Sequence, residues 1–110
     1  MRTNSDEEQC LFSIHQATQV LGGKWSFVVL GQLFCQDSQR FNQLRRNLDN
    51  ISTKSLTDTL RHLERNGVIH RKVYPTVPVT VEYSLTEKGR DFKNVISEMR
   101  IWGQKWGSNM

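Results

Sequence analysis

What this chain lacks removes most function classes before any motif is read. Two cysteines, Cys10 and Cys35, are too few for a disulfide framework, and neither a CxxC pair nor a Cys/His cluster at metal-ligand spacing is present. Cys10 and His15 are five apart, off any shared helix face, so a metal ion would need ligands from another subunit. No metal and no cofactor are expected. The three histidines, His15, His62 and His70, are scattered, and serines and aspartates fall at caps and turns. Gly22-Gly23 is neither a phosphate loop nor a dinucleotide fingerprint, so the chain is not expected to be an enzyme. No run approaches the roughly 18 apolar residues of a membrane span. The segment Met1 to Glu8 lacks the apolar core of a signal peptide, which sets a cytoplasmic location as the expectation. Low-complexity linkers and internal repeats are absent as well.

What is present suits one domain. The chain has 110 residues and 36% hydrophobic content, a size at which much of the surface stays exposed. Residues 1–9, polar and acidic, read as a flexible tail, which leaves 10–110 as a single domain. Charge is uneven within a total of +4 and a pI near 9.4. Residues 40–72 hold eight Lys/Arg against three Asp/Glu, whereas residues 1–9 hold Arg2 against Asp6, Glu7 and Glu8. A basic half suits a phosphate backbone, whose neutralisation releases counterions. Solvated faces are commonly basic too, so a motif must stand beside the charge.

Residues 49 to 85 supply one. They run Asp49-Asn50-Ile51-Ser52, TKSLTDTLRHLERNG, VIHRKVYP, TVP and VTVEYSL: a turn, a helix and a hairpin. Ser52 reads as the helix N-cap, its hydroxyl accepting from an orphan amide of the first turn, with Ile51 stapled onto Leu56. Leu56, Leu60 and Leu63 recur at spacings of four and three and form one buried stripe. Asn66-Gly67 supplies the left-handed residue that ends the helix. At about 100° per residue, Lys54, Asp58, Arg61 and Arg65 project opposite the leucines, with Ser55 and Thr57 toward either edge. An ordinary solvated helix surface, with Asp58 paired to Lys54 or Arg61, would carry the same residues. Upstream, Phe41, Leu44 and Leu48 mark a second short amphipathic helix, and Asp49 to Ser52 link the two tightly. Such a pair, followed at once by a two-stranded ribbon, is a winged helix-turn-helix, and its rigid second helix fits a major groove.

The ribbon carries its own signals. Ile69, Arg71 and Val73 alternate with His70 and Lys72, and Val79, Val81, Tyr83 and Leu85 alternate with Thr80, Glu82 and Ser84. That alternation predicts two strands with one dry face. Pro75 and Pro78 remove backbone donors and stiffen the loop between them. A stiff wing with Arg71 and Lys72 at its base reaches along DNA, whereas a plain hairpin closing the core would explain the same prolines.

The remainder reads as helices. Leu11, Ile14, Ala17 and Leu21 repeat at three and four, ended by Gly22-Gly23, and Trp25 to Phe34 is apolar nearly all round and belongs buried. Thr86 caps a last helix in which Phe92, Val95, Met99, Trp102 and Trp106 follow the spacing of a coiled seam. That seam packs on the domain's own core or on a second subunit. Two indoles near the end of a chain whose small core is already closed favour the second, with Leu11 and Ile14 contributing from the first helix. Dimerisation has a reason as well, since a two-fold pair reads two half-sites about one helical turn apart.

The blocks VLGGKW (Val20 to Trp25), RFNQLRR (Arg40 to Arg46), ISTKSLTDTLRHLERNGVIHRKVYP (Ile51 to Pro75) and VEYSLTEKGR (Val81 to Arg90), with a cysteine upstream, resemble the HxlR-type winged-helix transcriptional regulators of bacteria. The likeness spans roughly residues 10 to 106. It implies a mainly α fold with a small β-hairpin, dimeric through its N- and C-terminal helices, 11–21 and 87–107. It further implies a sequence-specific regulator that binds double-stranded DNA as a homodimer on a pseudo-palindromic operator. The implied DNA contacts are Arg40, Asn42, Arg45 and Arg46, then Ser52, Thr53, Lys54, Ser55, Thr57, Asp58, Arg61 and Arg65, and in the wing Arg71, Lys72 and Thr76. Some members of the family sense oxidants, quinones or aldehydes through a cysteine ahead of the first helix, a place similar to that of Cys10. Cys10 precedes a helix, which favours a thiolate, while Asp6, Glu7 and Glu8 oppose it. Cys35 is either a packing thiol or the partner of Cys10 across a dimer. The competing reading is a winged-helix module for protein or RNA, which would show weak salt dependence or no preference for duplex DNA.

Overall fold

The leucine stripe organises the molecule. In the computed structural model, which describes residues 4–107, Thr53–Arg65 form α4, and its Leu56, Leu60 and Leu63 are 0%, 2% and 0% exposed. Around it run α1 (Asn4–Leu21), α2 (Lys24–Cys35), β1 (Ser38–Arg40), α3 (Phe41–Asn47), β2 (Ile69–Tyr74), β3 (Thr80–Leu85), α5 (Glu87–Asp91) and α6 (Lys93–Trp106). Val29, Leu30 and Leu33 of α2, Leu44 of α3, Ile51, Val68 and Leu85 complete the core against α4.

The local signals act as their chemistry dictates. Ser52 Oγ accepts from the Ser55 amide at 3.0 Å and starts α4, while Gly67 at φ 75° ends it. Thr86 Oγ1 accepts from the Gly89 amide at 3.1 Å and donates to the Gly67 carbonyl at 2.6 Å, tying the end of one helix region to the start of the next.

Longer-range features depart from the sequence reading. The hairpin has a third strand: β1 pairs antiparallel to β3 with Gln39 opposite Tyr83, in the order β1-β3-β2. Ser38-Gln39-Arg40 has no apolar alternation, and Gln39 holds it instead. Its buried amide donates to the carbonyls of Gln32 (2.8 Å) and Gln36 (3.2 Å) and accepts from Asn47 Nδ2 (3.2 Å). The dry face of the ribbon exists only at its base, where Ile69, Tyr83 and Leu85 are buried; Arg71 and Val73, farther along the outer strand β2, are exposed.

The last helix is interrupted. Phe92 separates α5 from α6 and packs against the core, so it leaves the proposed seam. The segment expected as a flexible tail is largely helical: α1 already begins at Asn4, with Asp6 and Glu7 in its first turn complementing the helix dipole. Residues 1–3 of that tail lie outside the described residues. Nor is α2 sealed on every side, since Val28 and Cys35 are exposed and Trp25, Phe27 and Phe34 are half-buried.

One junction joins the first helix to α4. Gly22, at φ 66°, ends α1, and a Cβ there would lie 2.6 Å from His62 Nε2. The two nearest partners of that nitrogen, the carbonyls of Gln19 (2.9 Å) and Val20 (3.1 Å), are acceptors, and the Asn66 Nδ2 donor stands farther off at 3.4 Å, so the arrangement favours the tautomer in which Nε2 carries the proton and donates. His62 thereby satisfies the carbonyl end of α1 from a position 42 to 43 residues away.

Candidate nucleic-acid interface

Burial of the leucine stripe decides what α4 presents outward. Lys54, Asp58, Arg61 and Arg65 are exposed on the opposite side, with Thr53 exposed at the helix start and Ser55 and Thr57 half-buried at the edges. Ser52 is exposed as well, but its hydroxyl is already engaged as the cap. Lys54 Nζ donates to Asp58 Oδ2 at 2.8 Å. That hydrogen bond and the Lys54 charge, with smaller effects from Arg61 and Arg65, hold the Asp58 carboxyl below the usual carboxylate range. A depressed value means the group stays ionised as pH falls to the ordinary carboxylate range, so it is charged at neutral pH.

Three surface hollows bring the remaining candidates together. Arg61 and Arg71 line one of about 290 Å³ with Thr57, Glu64 and Tyr83, so the outward face of α4 meets the base of the wing. Asn42, Arg45 and Arg46 line a second of about 400 Å³ with Asp49 and Asn50, at the turn between α3 and α4. Arg40 and Asn42 line a third of about 330 Å³ with Pro78 and Val79, where α3 approaches the wing loop. Among the described residues Arg45, Arg46, Arg61, Arg65 and Arg71 form no ion pair.

Other candidates are occupied within the protein. Arg40 Nε lies 4.0 Å from Glu82 Oε2, and Lys72 Nζ stands over the Tyr74 ring at 5.0 Å. Thr76 Oγ1 donates to the Pro78 carbonyl at 2.8 Å and lies 3.1 Å from Thr80 Oγ1, bracing the wing loop. The wing tip is apolar rather than basic, with Val77 fully exposed. His62 was not a candidate on sequence grounds, and no local signal could have found it, because its partners lie on α1.

Cys10 does not sit where its sequence position suggests. Cys10 lies inside α1 rather than ahead of it, so the unpaired amides of the helix start are not beside its thiol. Cys35, at the end of α2, is exposed and not a packing thiol. It borders a groove of about 660 Å³ between α2 and α6 that includes Trp25, Phe34, Leu48, Ile96 and Arg100. Leu11, Ile14, Val95, Met99, Trp102 and Trp106 are all exposed on α1 and α6. Among the described residues no helix is long and apolar enough to cross a membrane.

Comparison with known proteins places this geometry. The family model described as HxlR-like helix-turn-helix matches residues 20–110. The HTH-type transcriptional regulator YdeP of Bacillus subtilis (strain 168) is 43% identical over 104 residues, covering 94% of this chain and 79% of that protein. The redox regulator HypR in its reduced form superposes with a TM-score of 0.79 at 39% identity, over 84% of this chain and 91% of HypR. The reduced transcriptional regulator YodB from B. subtilis gives a TM-score of 0.74 at 33% identity, over 86% of this chain and 91% of YodB. A winged helix-turn-helix whose sequence matches that family model over its whole central and C-terminal length belongs to the HxlR-like family of transcriptional regulators.

Proposed function

We propose that the chain binds a pseudo-palindromic DNA operator as a homodimer, with α4 in the major groove and the wing beside it, under the control of an exposed thiol. The observation that carries the DNA reading is the outward face of α4. Arg61 and Arg65 stand there without ion-pair partners among the described residues, and Arg71 of the wing shares a hollow with Arg61. Unpaired guanidinium groups on a rigid helix suit guanine edges and phosphates alike. Asn42, Arg45 and Arg46 fit phosphate contacts at the helix-turn-helix, and the groups already engaged, Ser52, Arg40 and Thr76, shape the surface more than they read it. The homodimer is supported by the apolar residues left uncovered on α1 and α6, because large exposed apolar patches on small proteins mark interfaces.

Control by an oxidant or electrophile is supported by exposure of both thiols and by likeness to HypR and YodB, of which HypR is described as a redox regulator. Cys10 lies on α1, one of the proposed dimer helices, and His62 links the end of that helix to α4.

Fluorescence anisotropy of the reduced protein on its own upstream DNA and on a shuffled duplex tests the reading. Selective binding that weakens steeply with salt is the expected result. Equal binding to both duplexes with little salt dependence would replace it with a protein- or RNA-interaction module. Arg61→Ala is expected to lower affinity by about 1–3 kcal/mol and to relax base preference at one position. Repeating the titration after oxidation, with Cys10→Ser and Cys35→Ser beside the natural protein, tests the thiol: loss of binding restored by a reductant is expected in the natural protein and not in the variant lacking the sensor.

A further inference from the structure

The outward face of α4 holds one residue that general attraction to DNA does not explain. Asp58 stands in the middle of Lys54, Arg61 and Arg65, opposite the buried leucines. A carboxylate there repels every phosphate it approaches, so it weakens binding to all sequences alike unless it finds a donor on the DNA.

Its hydrogen bonding leaves room for one. Lys54 holds Oδ2, and among the described residues Oδ1 accepts no hydrogen bond from the protein. The Lys54 and Asp58 side chains are 86% and 56% exposed, so neither is locked in place by packing. The carboxyl is ionised at neutral pH, as Lys54, with Arg61 and Arg65, only lowers its pKa further, so Oδ1 acts as an acceptor only. In the major groove the donors are the exocyclic amines of cytosine and adenine. Adenine sets an acceptor, N7, beside its amine and thus repels a carboxylate, whereas cytosine offers its N4 amine alone.

We propose, building on the DNA-binding reading above, that Asp58 is a specificity-determining residue whose Oδ1 accepts from the N4 amine of a cytosine in each half-site. Lys54 stays on Oδ2, orienting the carboxylate and offsetting its repulsion from nearby phosphates. The same i,i+4 pair would also steady an ordinary helix surface, and the two roles are separable by experiment.

Duplexes are selected from a randomised library with the full chain, and the affinity of the natural protein, Asp58→Ala and Asp58→Asn is then measured on every single-base variant of the selected site. The natural protein is expected to prefer cytosine at one position of each half-site by about tenfold. Asp58→Ala is expected to lose that preference alone, and Asp58→Asn to shift it toward adenine, whose N6 and N7 match an amide. If Asp58→Ala keeps every preference and binds all duplexes more tightly, Asp58 is a helix-pairing residue and the inference is overturned. If the natural protein selects no duplex from the library, the DNA-binding reading falls, and this inference with it.

Discussion

Helices α4 and α6 carry similar apolar spacing and meet opposite fates. On α4 the three leucines are sealed between α2, α3 and the base of the sheet, whereas α6 has no buried residue and leaves Trp102 at 66% and Trp106 at 51% exposure. Two indoles in water are costly, since each ring offers a large apolar area. Periodicity therefore tells which face of a helix requires cover, and only the tertiary arrangement tells whether the same chain provides it. For α4 the cover is intramolecular. For α6 and the exposed side of α1, the proposed homodimer provides it.

The comparison breaks most sharply at the centre of α4. Leu60→Ala removes a side chain that is 2% exposed and leaves a cavity among α2 and α4 neighbours, so it is expected to cost about 2–5 kcal/mol of folding stability. Chemical denaturation monitored by circular dichroism measures it, and the loss should not depend on protein concentration beyond the contribution of the dimer. A cost below about 1 kcal/mol would mean that α4 is not the organising element.

Trp102→Ala sharpens the same contrast from the other side. In the isolated subunit this side chain is 66% exposed, so intrinsic folding should change little, while the dimer should weaken by about 3 kcal/mol as a large ring buried in the proposed interface is lost. Sedimentation velocity across a concentration series reads the effect directly. A dimer of unchanged strength would remove α6 from the interface, and a monomeric natural protein would remove the interface altogether.

How much was legible follows the same division between local and distant causes. The cap at Ser52, the stop at Gly67 and the cap at Thr86 were readable because each is settled by residues within a few positions. The outward face of α4 was readable too, since it is the complement of a leucine stripe. Strand β1 was not, because it depends on pairing with β3 and on the Gln39 amide, and its three residues carry no strand pattern of their own. The break falls at Phe92, which packs against the core, and the His62 link to Gln19 and Val20 spans 42 to 43 residues. Within the site, residue types were legible but their commitments were not: Glu82 draws Arg40, and Thr76 braces its own loop.

Ser52→Ala is the mildest test, and it probes the junction between the two kinds of cause. The Ser52 hydroxyl makes one local hydrogen bond, to the Ser55 amide, at the end of a helix whose other side is fully packed. Losing it orphans one first-turn donor in an exposed place, where water replaces the oxygen in part, so the expected cost to folding is about 1 kcal/mol. The core leucines should keep α4 in place, and the cost should appear as fraying of its first turn. Because Lys54 and Asp58 lie in the first turns, the same change is expected to weaken DNA binding more than Arg65→Ala does, although Arg65 carries a charge and Ser52 none. Amide hydrogen exchange over residues 53–58, measured beside duplex affinity, checks both halves. Faster exchange with unchanged affinity would show that base reading depends on the later turns of α4, around Arg61 and Arg65, and not on its start.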